Sequence, residues 1–415
     1  MSPETARLGE VASFIRGITF KPGDVVPLGA DGSVWCLRTK NVQAELDLSD
    51  VWAIDSGFVK RGEQYLQAGD LLVSSANSWN LIGKCSWVPR LESDATFGGF
   101  VTVLRGNPQF VDRRYLYHWF SSSRTQAVVR SFSRQTTNIA NLDLRRCSEL
   151  AIPLPPLAQQ KRIAAVLDQV DTLRAKRREA IALLDDLVQS TFFEMFGDPV
   201  SNNCGWERVR MGDLLVGIES GKSPQCLDRQ AKEGEWGVLK LGAITQCVYL
   251  QDETKALPSA VVPDARHEVR SGDLLFSRKN TPNLVAASAY VRSTRSRLLM
   301  PDLIFRLVVA DNALIDKVYL HALLTQSGKR RKLQELAAGS AASMVNISKS
   351  KLLEFVCEVP PLDLQRKFAQ FIEAIEVQRD VCRNHLATLD ELFTSLQHRA
   401  FSGTLWDHEV TGEAA

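Results

Sequence analysis

Two short stretches of the chain carry side chains able to hydrogen-bond nucleobase edges and neutralise phosphates. One holds Ser74, Ser75, Asn77, Trp79 and Asn80; the other holds Ser277, Arg278, Lys279, Asn280 and Asn283. Arg and Lys donate to guanine edges, Asn and Gln offer the paired donor and acceptor that adenine needs, and cations and hydroxyls take phosphate oxygens. The same chemistry recurs twice more. Arg134, Gln135, Thr136 and Asn138 have a counterpart in the small-residue run with Ser340, Ser343 and Asn346, and Arg38 and Lys40 have one in Lys240. Asn138 and Asn346 also fit a second role, orienting the segment that leads into a helix.

No catalytic constellation stands beside these clusters. An adenine methyltransferase needs a polar residue, two prolines and an aromatic in succession; Asn107-Pro108-Gln109-Phe110 lacks the second proline. Gly221-Lys222-Ser223 resembles the end of a phosphate-binding loop, but Val216 stands where that loop requires glycine. Pro263-Asp264 with Glu268-Val269-Arg270 reads better as a surface turn than as a nuclease signature. The six histidines form no helical metal pair, and His118 and His321 follow Tyr-Leu stretches as packing residues do. The eight cysteines form no C-x-x-C pair, which points to reduced thiols rather than zinc or a disulfide framework. No catalytic residue, metal or cofactor is expected.

The 415 residues suit two or three domains, and 45% hydrophobic with 24% charged residues is an ordinary globular balance. A formal net charge of +2 means that any contact with a polyanion must come from local patches. The polar start and the lack of an apolar run of ~20 residues predict a cytoplasmic protein without membrane spans.

The elements that would position the candidate clusters come as a repeat. Gly69-Asp70-Leu71-Leu72-Val73-Ser74 recurs as Gly272-Asp273-Leu274-Leu275-Phe276-Ser277, and Arg7-Leu8-Gly9 as Arg210-Met211-Gly212, both at an offset of 203. Asn138-Ile139-Ala140 matches Asn346-Ile347-Ser348, and Pro155-Pro156-Leu157 matches Pro360-Pro361-Leu362 at an offset of 205. Ordered matches with a nearly constant offset predict two copies of one α+β unit. Short β-favouring runs (34–37, 70–74, 84–88 and 100–104; 238–241, 273–277, 286–292 and 303–309) alternate with turn residues, and helical patterns follow at 112–129 and 316–336.

Each copy then runs into a long helix. Val166, Val170, Leu173, Arg177, Ala180, Leu184, Leu187 and Thr191 keep heptad spacing, as do Phe371, Ile375, Gln378, Cys382, His385, Leu389, Leu392 and Leu396. Pro155-Pro156 precedes the first helix and Gly197-Asp198-Pro199 ends it. The two seams are expected to bury each other in an antiparallel coiled coil, with some 38 residues spanning roughly 57 Å.

This arrangement resembles the specificity subunit of Type I restriction–modification systems. The resemblance covers nearly the whole chain and rests on the Gly-Asp-Leu-Leu motifs at 69 and 272, the Asn-Ile segments at 138 and 346, and P-P-L-x-x-Q at Pro155 to Gln160 and Pro360 to Gln365. It implies two target-recognition domains (1–155 and 205–359), a central helix (156–197), a distal helix (360–403) and a tail (404–415). It further implies a non-catalytic chain that reads a bipartite site on double-stranded DNA. DNA methyltransferase (modification) subunits dock on its helices, and restriction subunits, ATP-dependent, join afterwards. The docking surface is expected around Ile163, Leu167, Ile181 and Leu183, with Phe368 and Ile372 in the second copy. The alternative is a coiled-coil scaffold or decoy that binds methyltransferase subunits without reading DNA.

Overall fold

The computed structural model describes residues 4–135, 139–309, 314–338 and 344–405. They form two compact units: one runs up to Arg178 and resumes at Asn384, and the other is Glu179–Arg383.

In the first unit Val101–Gly106 lies between Ala12–Arg16 and Leu71–Ser74, and Leu71–Ser74 also pairs Cys85–Trp87, all antiparallel. A second four-stranded sheet runs Val25–Val26, Trp52–Asp55, Ser33–Leu37, Ala95–Phe97, its last pair parallel. The Gly-Asp motif is a turn with a buried anchor. Gly69 sits at φ +92°, which favours glycine, and the Asp70 carboxylate accepts two bonds from Arg105 at 2.7 Å and the Gln67 N–H at 2.8 Å. The helical pattern after Asp112 is two helices, Arg113–Ser121 and Ser123–Ser131, because Ser122 leaves helical backbone geometry to cap the second.

The second unit repeats this plan. Leu274–Ser277 pairs Ile304–Val309 and Ser288–Tyr290, and Leu215–Ser220 flanks Ile304–Val309. Gly272 turns at φ +86° and Asp273 meets Arg306 at 2.9 Å. Helices Lys317–Thr325 and Ser327–Glu335 follow. All eight strand segments expected from the sequence are present within a residue or two at their ends.

The central helix is Leu157–Phe196 and the distal helix Leu362–Ser402; Gly197 at φ +72° and Gly403 at φ +82° follow them. The two pack antiparallel, as expected. In the first unit Arg174 reaches Asp390, with Ile163, Leu167 and Ala400 in one core. In the second Asp185 reaches Arg379, and Phe192 packs edge-on against Phe368 at 5.7 Å.

The buried line differs from the expected seam by one residue at alternate positions. Leu167, Arg174, Ile181 and Val188 take the places assigned to Val166, Leu173, Ala180 and Leu187, and Arg379, Leu386 and Phe393 those assigned to Gln378, His385 and Leu392. Leu173, Leu187 and Leu392 are accordingly exposed. Two arginines stand on the true seam, so counting only apolar residues shifts the phase: their methylene stems pack while their heads find carboxylates.

The glutamine of P-P-L-x-x-Q locks each helix to its unit. Gln160 accepts the Asp112 N–H at 2.8 Å and donates to the carbonyls of Pro155 (2.8 Å) and Phe110 (3.1 Å). Gln365 does the same with Asp316 (2.8 Å), Pro360 (2.7 Å) and Leu314 (2.9 Å). Both are buried, and each satisfies three backbone groups at once.

A cation adds a second tie. Arg114 lies 4.6 Å from the Trp87 ring and donates to Asp168 of the central helix at 2.8 Å. Burial works against the Asp168 charge, but hydrogen bonds from His118 and Arg114 hold its carboxyl below the usual range. In the second unit Arg292, from a different element, lies 5.4 Å from Tyr290 and bonds Glu373 at 2.5 Å. Asp168 and Glu373 are 205 residues apart, so equivalent helical carboxylates recruit arginines from different elements.

Candidate nucleic-acid interface

The strand Leu71–Ser74 leaves the core and the chain immediately forms a second, short strand, Ala76–Asn77, which pairs with Ala140–Leu142. Ala140–Leu142 in turn pairs with Ser133–Gln135. Two of the candidate clusters, some 60 residues apart in sequence, are therefore neighbours in one three-stranded strip. The second unit brings the corresponding clusters together: Lys279–Asn280 pairs Val345–Asn346, placing Lys279 opposite Asn346. There Arg278 Nε donates to Asn346 Oδ1 at 3.0 Å while its guanidinium stands 5.0 Å from the Phe305 ring.

Within the first strip Trp79, Asn80 and Arg134 are exposed, and Ser75 and Asn77 are half-buried. Arg134, 86% exposed, makes a loose ion pair with Asp143 at 3.5 Å, so among the described residues its guanidinium is held weakly enough to meet a polyanion. In the second, Asn283 is exposed and Arg278, Lys279 and Asn346 are half-buried.

Ser74, Ser277 and Asn280 depart from expectation. All three are buried. Ser74 and Ser277 are the last residues of core strands, and Ser74 Oγ accepts a bond from Asn77 Nδ2 at 3.0 Å, so they orient the strip rather than line it. Asn280 accepts the Thr281 N–H at 2.8 Å and shapes the following turn. Thr136, Asn138, Ser340 and Ser343 lie outside the described residues, as does the side chain of Gln135.

The third cluster adjoins the first strip. The Phe100 carbonyl accepts the N–H groups of Ser75 (3.0 Å) and Ala76 (3.1 Å), and Phe100 shares a cleft with Arg38 and Lys40. Lys40 pairs Asp50 at 2.6 Å and remains largely exposed; Lys240 pairs Glu253 at 3.3 Å. Exposed Phe100 belongs to this surface and was absent from the sequence candidates. Its signal was the pair of glycines before it, Gly98-Gly99, which present a large apolar side chain on a turn.

The helix residues expected to receive a partner are in part corrected. Ile163, Leu167, Phe368 and Ile372 are buried in the unit cores, and Ile181 is half-buried. These positions belong to the buried seam, displaced by one residue from the expected line. Leu183, at 61%, is the one of the six that is largely exposed.

The sequence motifs weighed as catalytic have structural partners. Asp264 is held far below the usual carboxylate range by Arg266, with Lys222 also in contact, and the Glu268 carboxylate accepts the Arg297 N–H at 2.6 Å. His118 Nε2 lies 2.7 Å from Asp168 Oδ1, and His321 Nε2 lies 3.1 Å from the Ser288 carbonyl. All eight cysteines are free thiols, and burial pushes Cys36, Cys85, Cys147 and Cys357 up to about 12. Among the described residues no three His, Cys, Asp or Glu side chains converge as a metal site would, and no helix is long and apolar enough to cross a membrane.

Residues 4–183 match the family model described as the Type I restriction modification DNA specificity domain. The chain is 33% identical over 171 residues, 41% of its length, to the Type I restriction enzyme EcoEI specificity subunit of Escherichia coli; that stretch spans 28% of the relative. It is 24% identical over 423 residues to the EcoKI specificity subunit of Escherichia coli K12, covering 96% of this chain and 88% of that one. In fold it is similar to the crystal structure of the Type I restriction–modification S subunit from M. genitalium, with a TM-score of 0.55 and 15% identity over 97% of this chain and 99% of that one. A duplicated α+β unit and paired long helices thus accompany similarity, along nearly the whole sequence, to specificity subunits of Type I restriction–modification systems.

Proposed function

We propose that this chain is the non-catalytic address reader of a Type I restriction–modification complex in the cytoplasm. It binds double-stranded DNA, reads one half of a split target with the domain at 1–155 and the other with the domain at 205–359, and uses the helices at 156–197 and 360–403 to fix the gap. Methyltransferase (modification) subunits supply adenine methylation, and restriction subunits supply ATP-dependent cleavage. The observation that supports this most directly is the strip in each unit: strands Ala76–Asn77 with Ala140–Leu142, and Lys279–Asn280 with Val345–Asn346. The same frame carries different side chains in the two copies, as two readers of different half-sites require.

The test is to map methylated adenines in the source genome with the gene present and deleted. One bipartite motif should lose its methylation on deletion. Exchanging residues 1–155 for those of a relative should then change one half of that motif and leave the other half and the gap intact. Loss of no motif, or alteration of both halves, contradicts the proposal.

A further inference from the structure

The cleft beside the first strip has a volume of about 500 Å³, within the roughly 300–1,000 Å³ of sites that enclose small planar ligands. Phe20, Trp52 and Phe100 line it together with Arg38 and Lys40. The Phe20 and Trp52 rings meet edge to face at 6.1 Å, and the Arg38 guanidinium stacks 3.6 Å from the Trp52 ring. Arg38 Nε is buried and has no acceptor among the described residues. Phe100, 64% exposed, lies at the junction with the strip through its carbonyl bonds to Ser75 and Ala76. Flat aromatic faces, an unanswered donor and an exposed ammonium on Lys40 together match a nucleobase and its phosphate.

The second unit lacks this equipment. Strand register puts Lys240 where Arg38 stands, Lys255 where Trp52 stands and Leu303 where Phe100 stands, with Pro301 and Asp302 in place of Gly98 and Gly99. Lys240 and Lys255 pair with Glu253 and Asp228 much as Lys40 and Arg38 pair with Asp50, so the difference lies in the missing rings, and Ser223 donates to Asp302. The aromatic lining is thus a property of one unit rather than of the shared fold.

We propose that this cleft receives one nucleobase swung out of the duplex within the half-site read by the amino-terminal domain, and that Phe100 fills the vacated place in the stack. This rests on the reading that the unit binds DNA. A base inside a duplex reaches such a cleft only by leaving its partner, which is easiest where pairing is already faulty.

The experiment uses the full chain and the duplex identified by methylation mapping, with the base opposite each target position replaced in turn by a mismatch. Binding is followed by anisotropy. At one position in one half-site a mismatch should tighten binding about tenfold; Phe100→Ala and Trp52→Ala should abolish the gain, and Trp52→Phe should keep most of it. Phe100 is exposed, so its variant keeps the test decisive should Trp52→Ala not fold. If the intact duplex binds and no mismatch tightens it, the inference is overturned while DNA reading stands. If the intact duplex does not bind, the DNA-reading proposal fails and takes the inference with it. If adenosine 5′-monophosphate alone binds in a Trp52-dependent manner and no mismatch has an effect, the occupant is a free nucleotide and the inference is again overturned.

Discussion

Arg174 of the central helix donates to Asp390 of the distal helix at 2.6 Å, and the pair recurs with the helices exchanged. Arg379 stands 205 residues after Arg174, Asp390 stands 205 after Asp185, and Arg379 and Asp185 form the second pair. Each arginine also holds a carboxylate three residues earlier on its own helix, Asp171 or Glu376. The arginines are largely buried and their cross-helix partners are much more exposed, so each unit encloses a cation whose partner lies near water.

Replacing Arg174 by Ala removes this pair and the contact of its guanidinium with Phe393, 4.4 Å away. The expected loss is about 1–2 kcal/mol, because the released Asp390 is solvated rather than stranded. Urea unfolding of the single variants and of Arg174→Ala/Asp390→Ala should show a coupling of about 1 kcal/mol; additive losses contradict the pairing.

Gln365→Ala should cost more, about 2–4 kcal/mol, since the Asp316 N–H and the carbonyls of Leu314 and Pro360 all lose their partner. Amide exchange offers a local readout. Protection at Asp316 should collapse in the variant, while Asp112, held by Gln160, exchanges as before.

Burial lowers the pKa of His321 from 6.5 to about 4. Between those values the unfolded chain takes up a proton that the folded unit refuses, so stability falls as pH falls. The contribution is complete above pH 6.5, is lost on the way down through pH 4, and amounts to about 3 kcal/mol over that window. His321→Gln should flatten this part of a stability–pH profile; an unchanged slope would show that another group produces it.

Arg278 and Lys279 lie where the second strip joins two candidate clusters. Arg278→Ala with Lys279→Ala should weaken duplex binding about tenfold or more and lower the slope of log affinity against log salt by about 1 for each phosphate the pair neutralises. A filter-binding salt titration measures both. An unaltered slope with weaker binding would assign these residues to base edges instead.

Much of the fold was readable because the repeat reports the same elements twice: the Gly-Asp turns, the strands beside them and both long helices are found where the pattern puts them. The helix seam was displaced because Arg379 and Gln397 are buried, and Arg174 half-buried, at positions that an apolar count passes over. The strips were not legible as single surfaces, since nothing local in Ala76–Asn77 states that it pairs with Ala140–Leu142. Ser74, Ser277 and Asn280 have the right side chains for contact and the wrong depth, which strand position decides. The cleft around Trp52 depends on contacts among residues 20, 38, 52 and 100, and no spacing rule joins those.

The first stretch of the amino-terminal unit stops at Arg178, yet its core is closed by residues translated more than 200 positions later. Phe401 packs on Tyr115 at 5.5 Å, Phe393 on His118 at 6.0 Å, and Gln397 Nε2 donates to the His118 carbonyl at 3.3 Å. On the ribosome this first lobe must therefore wait, with an apolar flank uncovered, while some 200 further residues are translated, on the order of 10–40 s. Translation past Phe401 becomes a checkpoint: a chain cut short before Phe393 leaves its opening lobe unsealed, with an apolar flank open to chaperones or proteases.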